Sequence, residues 1–494
     1  MKQNIPSRNF LRSFLLLSAI LGGTLLPGDT ISESDSIDLE ILAGNFAAAG
    51  TMIDRYLLRP EVSVDDAWDR RFQKERMDRI RFDFRETEER ALAAIKHYYP
   101  EVTPAQLQRW KKEKSLEVMT IDGMERYFHA AVPNLFRIDK DAAVRKHEVD
   151  GEPDPGLRNF IREHLRSLRD QAEKTGRPND LETKAFVMTY VLTVPADTVP
   201  EGETLRCWLP YPYRGHRRQG EVELLDSNLD DCLVSPVSFK HSTIYSEKVT
   251  VKGQPTVFRA RCRFRCSGEY RSLNDEAFKK TVKPYDRTSA LYLEHTAQRK
   301  EHVVFTPEIQ KLSREIVGDE TDPVVIVQKI YDWLVENIPW ATSREYSTMP
   351  NIPGYVIENR HGDCGMFALL FITLCRVNGI PAKWQSGFML YPGYANLHDW
   401  AEVYFEGPGW IPVDASQGSM RLFKEENIGP FYLGGTDSYR LIVNEDYSSR
   451  LYPAKIHPRS ETVDFQRGEV EWRGGNLYFN QWNWTLNLDV PDEK

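Results

Sequence analysis

Three residues with complementary chemistry follow one another near the C-terminal end of the chain: Cys364, His398 and Asp414. A cysteine becomes a strong nucleophile when a neighbouring base takes its proton, and imidazole is well suited to that role. A carboxylate beside the imidazole fixes its tautomer and supports its positive charge. The order predicts acyl transfer through a thioester, with Cys364 as nucleophile, His398 as base and Asp414 as the orienting group.

The sequence around Cys364 predicts that this residue begins a helix. It follows the turn-forming residues His361-Gly362-Asp363 and opens a mostly apolar run that stops at Asn378-Gly379, a helix-ending signal. Free N–H groups and the helix dipole at a helix N-terminus stabilise a thiolate. We therefore expect an activated thiol at this position.

His398 and Asp414 lie on two strand-like runs joined at Gly407-Pro408-Gly409, which predicts a β-hairpin. A simple register around the middle of that turn would set Glu402, and not His398, opposite Asp414. A bulge or another register is required for His398 to reach Asp414. If the two do not meet, Glu402 or Asp399 becomes the orienting candidate.

Three motifs in this stretch carry a family resemblance: C-(x)10-C-R-x-x-G-I-P-A-K from Cys364, H-D-W-A-E-V-Y from His398 and G-W-I-P-V-D-A from Gly409. Together they resemble the transglutaminase-like, papain-related superfamily of cysteine enzymes, over about residues 300–445. The resemblance implies a Cys-His-Asp triad that attacks an amide or a related acyl group. It also makes Trp340 a candidate oxyanion donor, beside the backbone N–H of Cys364.

The pattern of elements predicts an α+β protein of several domains, since 494 residues exceed one ordinary core. After a signal peptide at 1–28, we expect a helical N-terminal region at 29–180 and a β-sandwich at 181–283. A papain-like transglutaminase core, with the helix-borne cysteine packed on an antiparallel sheet, is expected at 284–446. A small β-unit is expected at 447–494.

The N-terminus predicts export. Basic residues at Lys2, Arg8 and Arg12 precede an apolar run of residues 14–26, which is too short to span a bilayer comfortably. The mature protein is then periplasmic or secreted, with an uncleaved N-terminal anchor as the alternative.

Export would permit disulfides among the cysteines of the β-rich region. Bridges from Cys262 and Cys266 to Cys207 and Cys232 are possible, and buried free thiols are the alternative. Cys364 must stay free if it is the nucleophile.

Composition excludes several classes of function. The net charge of −9 gives no global attraction to nucleic acid, and HExxH and CxxC metal motifs are absent from the sequence, so we expect neither a metal nor a cofactor. Beyond the N-terminal run, no segment reaches membrane-spanning length. The expected partner is a protein or peptide substrate, and the sequence predicts no particular oligomeric state.

Three functions remain open. Hydrolysis, as a peptidase or amidase, is favoured because an exported enzyme works in excess water and the sequence shows no EF-hand-like calcium site. The alternatives are a protein-crosslinking transglutaminase and a non-catalytic binding or scaffold protein with the same fold.

Overall fold

The computed structural model describes residues 32–152, 154–419 and 429–489. It combines helices with antiparallel sheets, so the predicted α+β class is confirmed. The chain divides into two compact units, residues 1–151 and 152–494. The predicted signal peptide lies outside the described residues.

The first unit is mainly helical and has its own apolar core, which includes Trp110, Phe128 and Leu135. Thr103 caps one helix through a reciprocal capping box with Gln106, and Pro104 follows as the first helical residue. The described elements of this unit are α1 (Glu33–Leu42), α2 (Phe46–Tyr56), α3 (Val64–Asp83), α4 (Glu88–Lys96), α5 (Pro104–Lys112), β1 (Val118–Ile121), β2 (Met124–Tyr127), α6 (Ala131–Ile138) and α7 (Lys140–Asp150).

A β-sandwich of two antiparallel five-stranded sheets occupies much of the second unit, next to α8 (Gly156–Thr175). One sheet contains β3 (Leu181–Val194), β5 (Gln219–Ser227), β8 (Thr256–Tyr270), β12 (Gly435–Thr436) and β16 (Asn483–Asp489). The other contains β4 (Thr204–Pro210), β6 (Leu233–Val234), β7 (Thr243–Val249), β14 (Glu469–Trp472) and β15 (Gly475–Leu477). Residues from both sheets share one apolar core, as a sandwich requires.

Two of the predicted domain boundaries divide segments that pack together in the structure. Leu165 and Leu168 of α8 belong to the sandwich core, although residues up to 180 were expected in the helical region. Within the described residues 447–489 of the predicted C-terminal unit, the strands form no separate sheet, because β14 pairs with β4 and β16 pairs with β3. Strand pairing between distant segments is set by the tertiary fold, and local sequence patterns do not record it.

The predicted catalytic stretch folds onto a four-stranded antiparallel sheet with the order β11-β10-β9-β13. Its strands are β9 (Ala382–Tyr391), β10 (Tyr394–Phe405), β11 (Gly409–Val413) and β13 (Arg440–Asn444). The associated helices are α9 (Glu276–Lys279), α10 (Ala290–Thr296), α11 (Pro307–Val317), α12 (Pro323–Asn337), α13 (Ile352–Asn359), α14 (Cys364–Val377) and α15 (Ala415–Ser419).

The β10–β11 hairpin has a different register from the simple one. Phe405 pairs with Gly409 and Ala401 with Val413, so the three-residue turn is 406–408 and not 407–409. Continued by one residue, this register sets Asp414 opposite Trp400. His398 then lies on the same face, diagonally across from Asp414, within reach of a side-chain contact.

Helix α14 forms the centre of the catalytic core. Its residues from Gly365 to Arg376 are all buried, and they pack with Ala401, Val403 and Phe405 of β10. The helix-borne cysteine is therefore packed on an antiparallel sheet, as predicted.

The variant Leu369→Ala tests how much this packing contributes to the stability of the protein. Leu369 is fully buried on α14, so its truncation leaves a cavity and should lower the free energy of unfolding by about 2–5 kcal/mol. Urea unfolding measures the change. Leu293→Ala, at a position 57% exposed, is the control and should change little; equal effects of the two variants would contradict the packing described.

Candidate functional site

Cys364 is the first residue of α14, as the sequence predicted. The preceding Asp363 caps the helix, with its Oδ1 accepting the backbone N–H of Met366 at 3.2 Å. The thiol is half-buried. As a first-turn residue, Cys364 also has a backbone N–H that no carbonyl within the helix can accept.

His398 and Asp414 meet in a buried hydrogen-bonded pair. His398 Nε2 lies 2.7 Å from Asp414 Oδ2, and the two residues are 3% and 4% exposed. Arg440 of β13 donates from a guanidinium N–H to the same oxygen at 2.8 Å. Ser416 donates its hydroxyl to Asp414 Oδ1 at 2.7 Å. Asp414 is thus held by three side chains from three elements.

The charges in this pair follow from burial and pairing. Burial alone would raise the pKa of Asp414, but His398 and Arg440 hold that pKa below its usual range. Burial lowers the pKa of His398, and the charge of Arg440 lowers it further against the opposing effect of Asp414. At neutral pH the pair is an ionised carboxylate and a neutral imidazole whose Nε2 is engaged, which leaves Nδ1 to take a proton.

The structure does not bring Cys364 to His398. Cys364 Sγ instead lies 3.3 Å from Asp399 Oδ2, and within the described part of the chain it makes no hydrogen bond with the imidazole. Successive side chains of a strand project to opposite faces, so Asp399 faces α14 while His398 faces away from it.

A hydrogen-bonded group surrounds the carboxyl of Asp399. Tyr346 places its hydroxyl 3.2 Å from Asp399 Oδ2 and 2.8 Å from Asp363 Oδ1. Gln466 donates to Asp399 Oδ1 at 2.9 Å. Burial and the neighbouring Asp363 raise the pKa of Asp399 well above its usual range.

The expectation of an activated thiolate is not met in this arrangement. Burial raises the pKa of Cys364, and the carboxyl groups of Asp399 and Asp363 raise it further. Burial and the two acidic side chains therefore oppose the stabilisation that a helix N-terminus offers a thiolate, and they favour the protonated thiol of Cys364.

A narrow cleft lies between the two halves of the site. Its lining includes Cys364, Phe367 and Phe371 of α14, Asp399 and Trp400 of β10, and Asp414 and Ser416 after β11. Strand β11 pairs with β10 only from Ala401 to Phe405, so the edge of β10 at Asp399 and Trp400 has no β11 partner, although both residues are buried. Cys364 and Asp414 border the same cleft at this edge.

Trp340 lies near the cysteine through its backbone. A parallel bridge pairs Trp340 with Gly362, and the next N–H, from Ala341, donates to the Gly362 carbonyl at 2.9 Å. The side chain is half-buried. Its role as oxyanion donor stays a prediction.

No sequence motif predicted three residues of the site, Arg440, Tyr346 and Gly365. Arg440 is a buried cation that begins the strand Arg440–Asn444, and an arginine just before the apolar run Leu-Ile-Val is the one sequence signal that could have indicated it. Tyr346 begins a single 3-10 turn, Tyr346–Thr348, which no sequence pattern predicted. Gly365 is required because a Cβ there would lie 2.2 Å from the Tyr346 hydroxyl and 2.8 Å from Asp399 Oδ2.

On the other face of the sheet, His216, Glu402 and Glu445 bring three potential metal-ligand atoms together. Their carboxylates are already compensated, since Lys383 pairs with both glutamates and Arg217 donates to Glu402 at 3.0 Å. Two cations within the group disfavour a third, so this is an ion-pair network. Glu402 is thereby engaged away from Asp414 and does not take the orienting position.

The remaining sequence expectations concern thiols and membrane segments. Cys207, Cys232, Cys262 and Cys266 are all free, which is the free-thiol alternative. Among the described residues, none of the helices combines the length and apolar composition needed to cross a bilayer.

Asp414→Asn tests the buried charge cluster. Removing the carboxylate leaves Arg440 short of a partner and should lower the free energy of unfolding by about 3–5 kcal/mol at neutral pH. Because the folded-state pKa of Asp414 is depressed, its contribution is present above the unfolded-state pKa of about 3.9 and is lost as pH falls below it.

Urea unfolding of wild type and Asp414→Asn across acid and neutral pH measures that difference. Asp226→Asn, which removes a carboxylate paired with Arg259 at the surface, is the control and should stay close to wild type. A wild-type advantage that persists unchanged below about pH 3 would contradict the assignment.

Comparison with known proteins identifies a family that part of the chain resembles. Residues 310–415, which contain Cys364, His398 and Asp414, match the sequence model of the transglutaminase-like superfamily. An uncharacterised Haemophilus influenzae protein is 23% identical over 292 residues, which are 51% of this chain and 75% of that protein. The uncharacterised Bacillus subtilis protein YebA is 25% identical over 129 residues, 22% of this chain and 17% of that protein.

Among solved structures, a proposed cysteine protease from Cytophaga hutchinsonii is similar at 16% identity and a TM-score of 0.43, covering 64% of this chain and 93% of that one. The periplasmic domain of TgpA from Pseudomonas aeruginosa is similar at 13% identity and a TM-score of 0.24, covering 48% and 96%. The match of residues 310–415 to the transglutaminase-like superfamily confirms the motif resemblance.

Proposed function

We propose that the chain is a cysteine acyl-transfer enzyme that acts on amide bonds and most often passes the acyl group to water. The observation that carries the proposal is the buried His398–Asp414 pair, at 2.7 Å, beside a cleft that Asp414 and the helix-borne Cys364 both border. Neither a buried thiol nor a strand histidine would by itself indicate chemistry. A cleft bordered by the thiol of Cys364 and by Asp414, the partner of His398, within a transglutaminase-like match supports that chemistry.

Each group has a distinct part in the reaction. The Cys364 thiol passes its proton to His398 Nδ1, and the sulfur attacks the carbonyl carbon of the substrate. Asp414 holds Nε2 and stabilises the imidazolium that forms, while Arg440 and Ser416 keep Asp414 ionised and oriented. The protonated imidazole then donates to the leaving amine, and a thioester remains on Cys364.

The tetrahedral intermediate needs hydrogen-bond donors for its oxygen. The backbone N–H of Cys364, at the start of α14, supplies the first. Trp340 is the second candidate, because its backbone runs beside Gly362, two residues before the nucleophile.

The reaction requires Sγ to leave Asp399 and approach His398 past the edge of β10 that β11 does not pair. The cleft lies at this edge, next to the end of β11 at Val413. Rotation of the Cys364 side chain about its Cα–Cβ bond, which turns the sulfur away from Asp399, is the first motion that this step needs.

The separation of Cys364 from His398 favours a second candidate, a binding or scaffold protein that uses this fold without turnover. In that case the Sγ–Asp399 contact is the permanent partner of the thiol. Substrate turnover distinguishes the two.

We propose export for the chain, from the basic and apolar N-terminal residues. Water is then the abundant acceptor, which favours hydrolysis of a protein or peptide substrate over crosslinking.

Turnover of a library of peptides, glutamine-containing proteins and cell-wall fragments tests the activity. Wild type should release ammonia or peptide fragments. Cys364→Ala should lose at least about 1,000-fold, and Asp414→Asn about 100- to 10,000-fold, because each removes part of a unit that acts together.

Cys232→Ala is the matched control, since it removes a half-buried free thiol outside the site and should keep wild-type turnover. Incorporation of an added amine in place of water would favour the crosslinking alternative. Turnover that survives in Cys364→Ala would exclude the proposed nucleophile, and inert wild-type protein would favour the binding role.

A further inference from the structure

The hydrogen bonds around Tyr346 require one more proton than two ionised carboxylates would have. The hydroxyl lies within hydrogen-bond distance of Asp363 Oδ1, at 2.8 Å, and of Asp399 Oδ2, at 3.2 Å. A phenol has a single proton to donate. Both contacts are hydrogen bonds only if one of the two carboxyl groups is itself protonated and donates to the phenol oxygen.

The surrounding donors indicate which carboxyl carries that proton. Asp363 Oδ1, the atom that contacts Tyr346, also accepts the backbone N–H of Met366, so it acts as an acceptor toward both. Asp399 Oδ1 accepts from Gln466, which leaves Oδ2 as the oxygen that faces both Tyr346 and Cys364 Sγ. The shared proton therefore resides on Asp399 Oδ2.

We propose that Asp399 is a positioning residue that holds Cys364 as a protonated thiol on the α14 side of the sheet until the sulfur moves to His398. The inference rests on the proposed function, because it assigns a resting partner to the nucleophile of that reaction. Asp399 never touches the substrate in this account. It acts through the sulfur, by occupying the thiol and by opposing its ionisation.

The charge of Asp399 explains why this residue should raise the pKa of the Cys364 thiol. When Asp399 is ionised, its carboxylate lies 3.3 Å from the sulfur, and a second negative charge on that sulfur is strongly disfavoured. When Asp399 is protonated, its one proton is engaged with Tyr346, so Oδ2 accepts the thiol proton of Cys364 and offers the sulfur no donor. The thiolate is therefore favoured only after the sulfur has left this carboxyl.

Other charged groups face the same cluster from neighbouring segments. Asp363 lies at the start of α14, and Glu461 and Asp464 approach from the segment before β14. Arg467 pairs with Glu345 and lies near Glu461, so it offsets part of this negative charge. Burial raises the pKa of Glu461 and of Asp464, so these two carboxyl groups gain negative charge near Asp399 only as the pH rises.

The test is the pH dependence with which iodoacetamide alkylates Cys364, followed by peptide mass spectrometry from about pH 5 to pH 10 without substrate. In wild type the midpoint should lie above the value of about 8.5 for an ordinary thiol. Asp399→Asn keeps the shape of the side chain but cannot ionise, so its midpoint should fall by about one pH unit or more.

Asp226→Asn is the matched control, because it removes a carboxylate from the surface of the sandwich, and its midpoint should equal that of wild type. The buried Cys375 should stay unlabelled in every folded variant, and its labelling identifies unfolded protein. If Asp399→Asn is unfolded, Asp399→Ser is measured under the same criterion.

Two results would overturn the proposal: a wild-type midpoint at or below that of an ordinary thiol, or a folded Asp399 variant whose midpoint is unchanged. The wild-type measurement decides against the proposal even if every variant unfolds. Because alkylation needs no substrate, a shifted midpoint in a protein without turnover would support the role of Asp399 while contradicting the acyl-transfer function.

Discussion

The alternation of side chains along β10 constrains the whole candidate site. His398 and Asp399 are adjacent on a strand, so they must face opposite sides of the sheet. Helix α14 covers the side that Asp399 faces, and the cation of Arg440 lies on the side of His398. The nucleophile and the proposed base thus lie toward the two faces of one sheet and can meet only past the edge of β10 that β11 does not pair.

The two faces of the β10 sheet differ in how their buried carboxyl groups are stabilised. On the His398 side, Asp414 is stabilised as a carboxylate by Arg440 and Ser416, so a negative charge is maintained in a buried place. On the Cys364 side, the Tyr346 hydroxyl lies within hydrogen-bond distance of both Asp363 and Asp399, and burial and the charge of Asp363 raise the pKa of Asp399. The ionised Asp414 supports His398 as a base, whereas the proposed role of Asp399 is to keep the Cys364 thiol protonated.

The sequence was most informative where local rules decide the structure. The turn-forming residues before Cys364 and the Asn378-Gly379 stop predicted both ends of α14, because helix ends depend on neighbouring residues. The hairpin was also predicted, but its turn is 406–408 and not 407–409, and that shift by two in register is what brings His398 to Asp414. A turn with two glycines and a proline offers several geometries, and tertiary packing selects among them.

Other features depended on distant parts of the chain and could not be predicted. Alternation indicated that His398 and Asp399 face apart, but not which of the two faces α14 would cover. Arg440 reaches Asp414 across the sheet from β13, and the C-terminal strands join a sandwich that begins more than 200 residues earlier, at β3 and β4. Such contacts follow from the assembled sheets, and no local pattern specifies them.

The central claim is that Cys364 forms a thioester with help from His398, and trapping that intermediate tests it most directly. Wild-type protein treated with an activated acyl ester should gain the mass of one acyl group, mapped by peptide mass spectrometry to Cys364, and the gain should be much slower in His398→Ala. Acylation that persists in Cys364→Ala, or that proceeds equally fast without His398, would contradict the account.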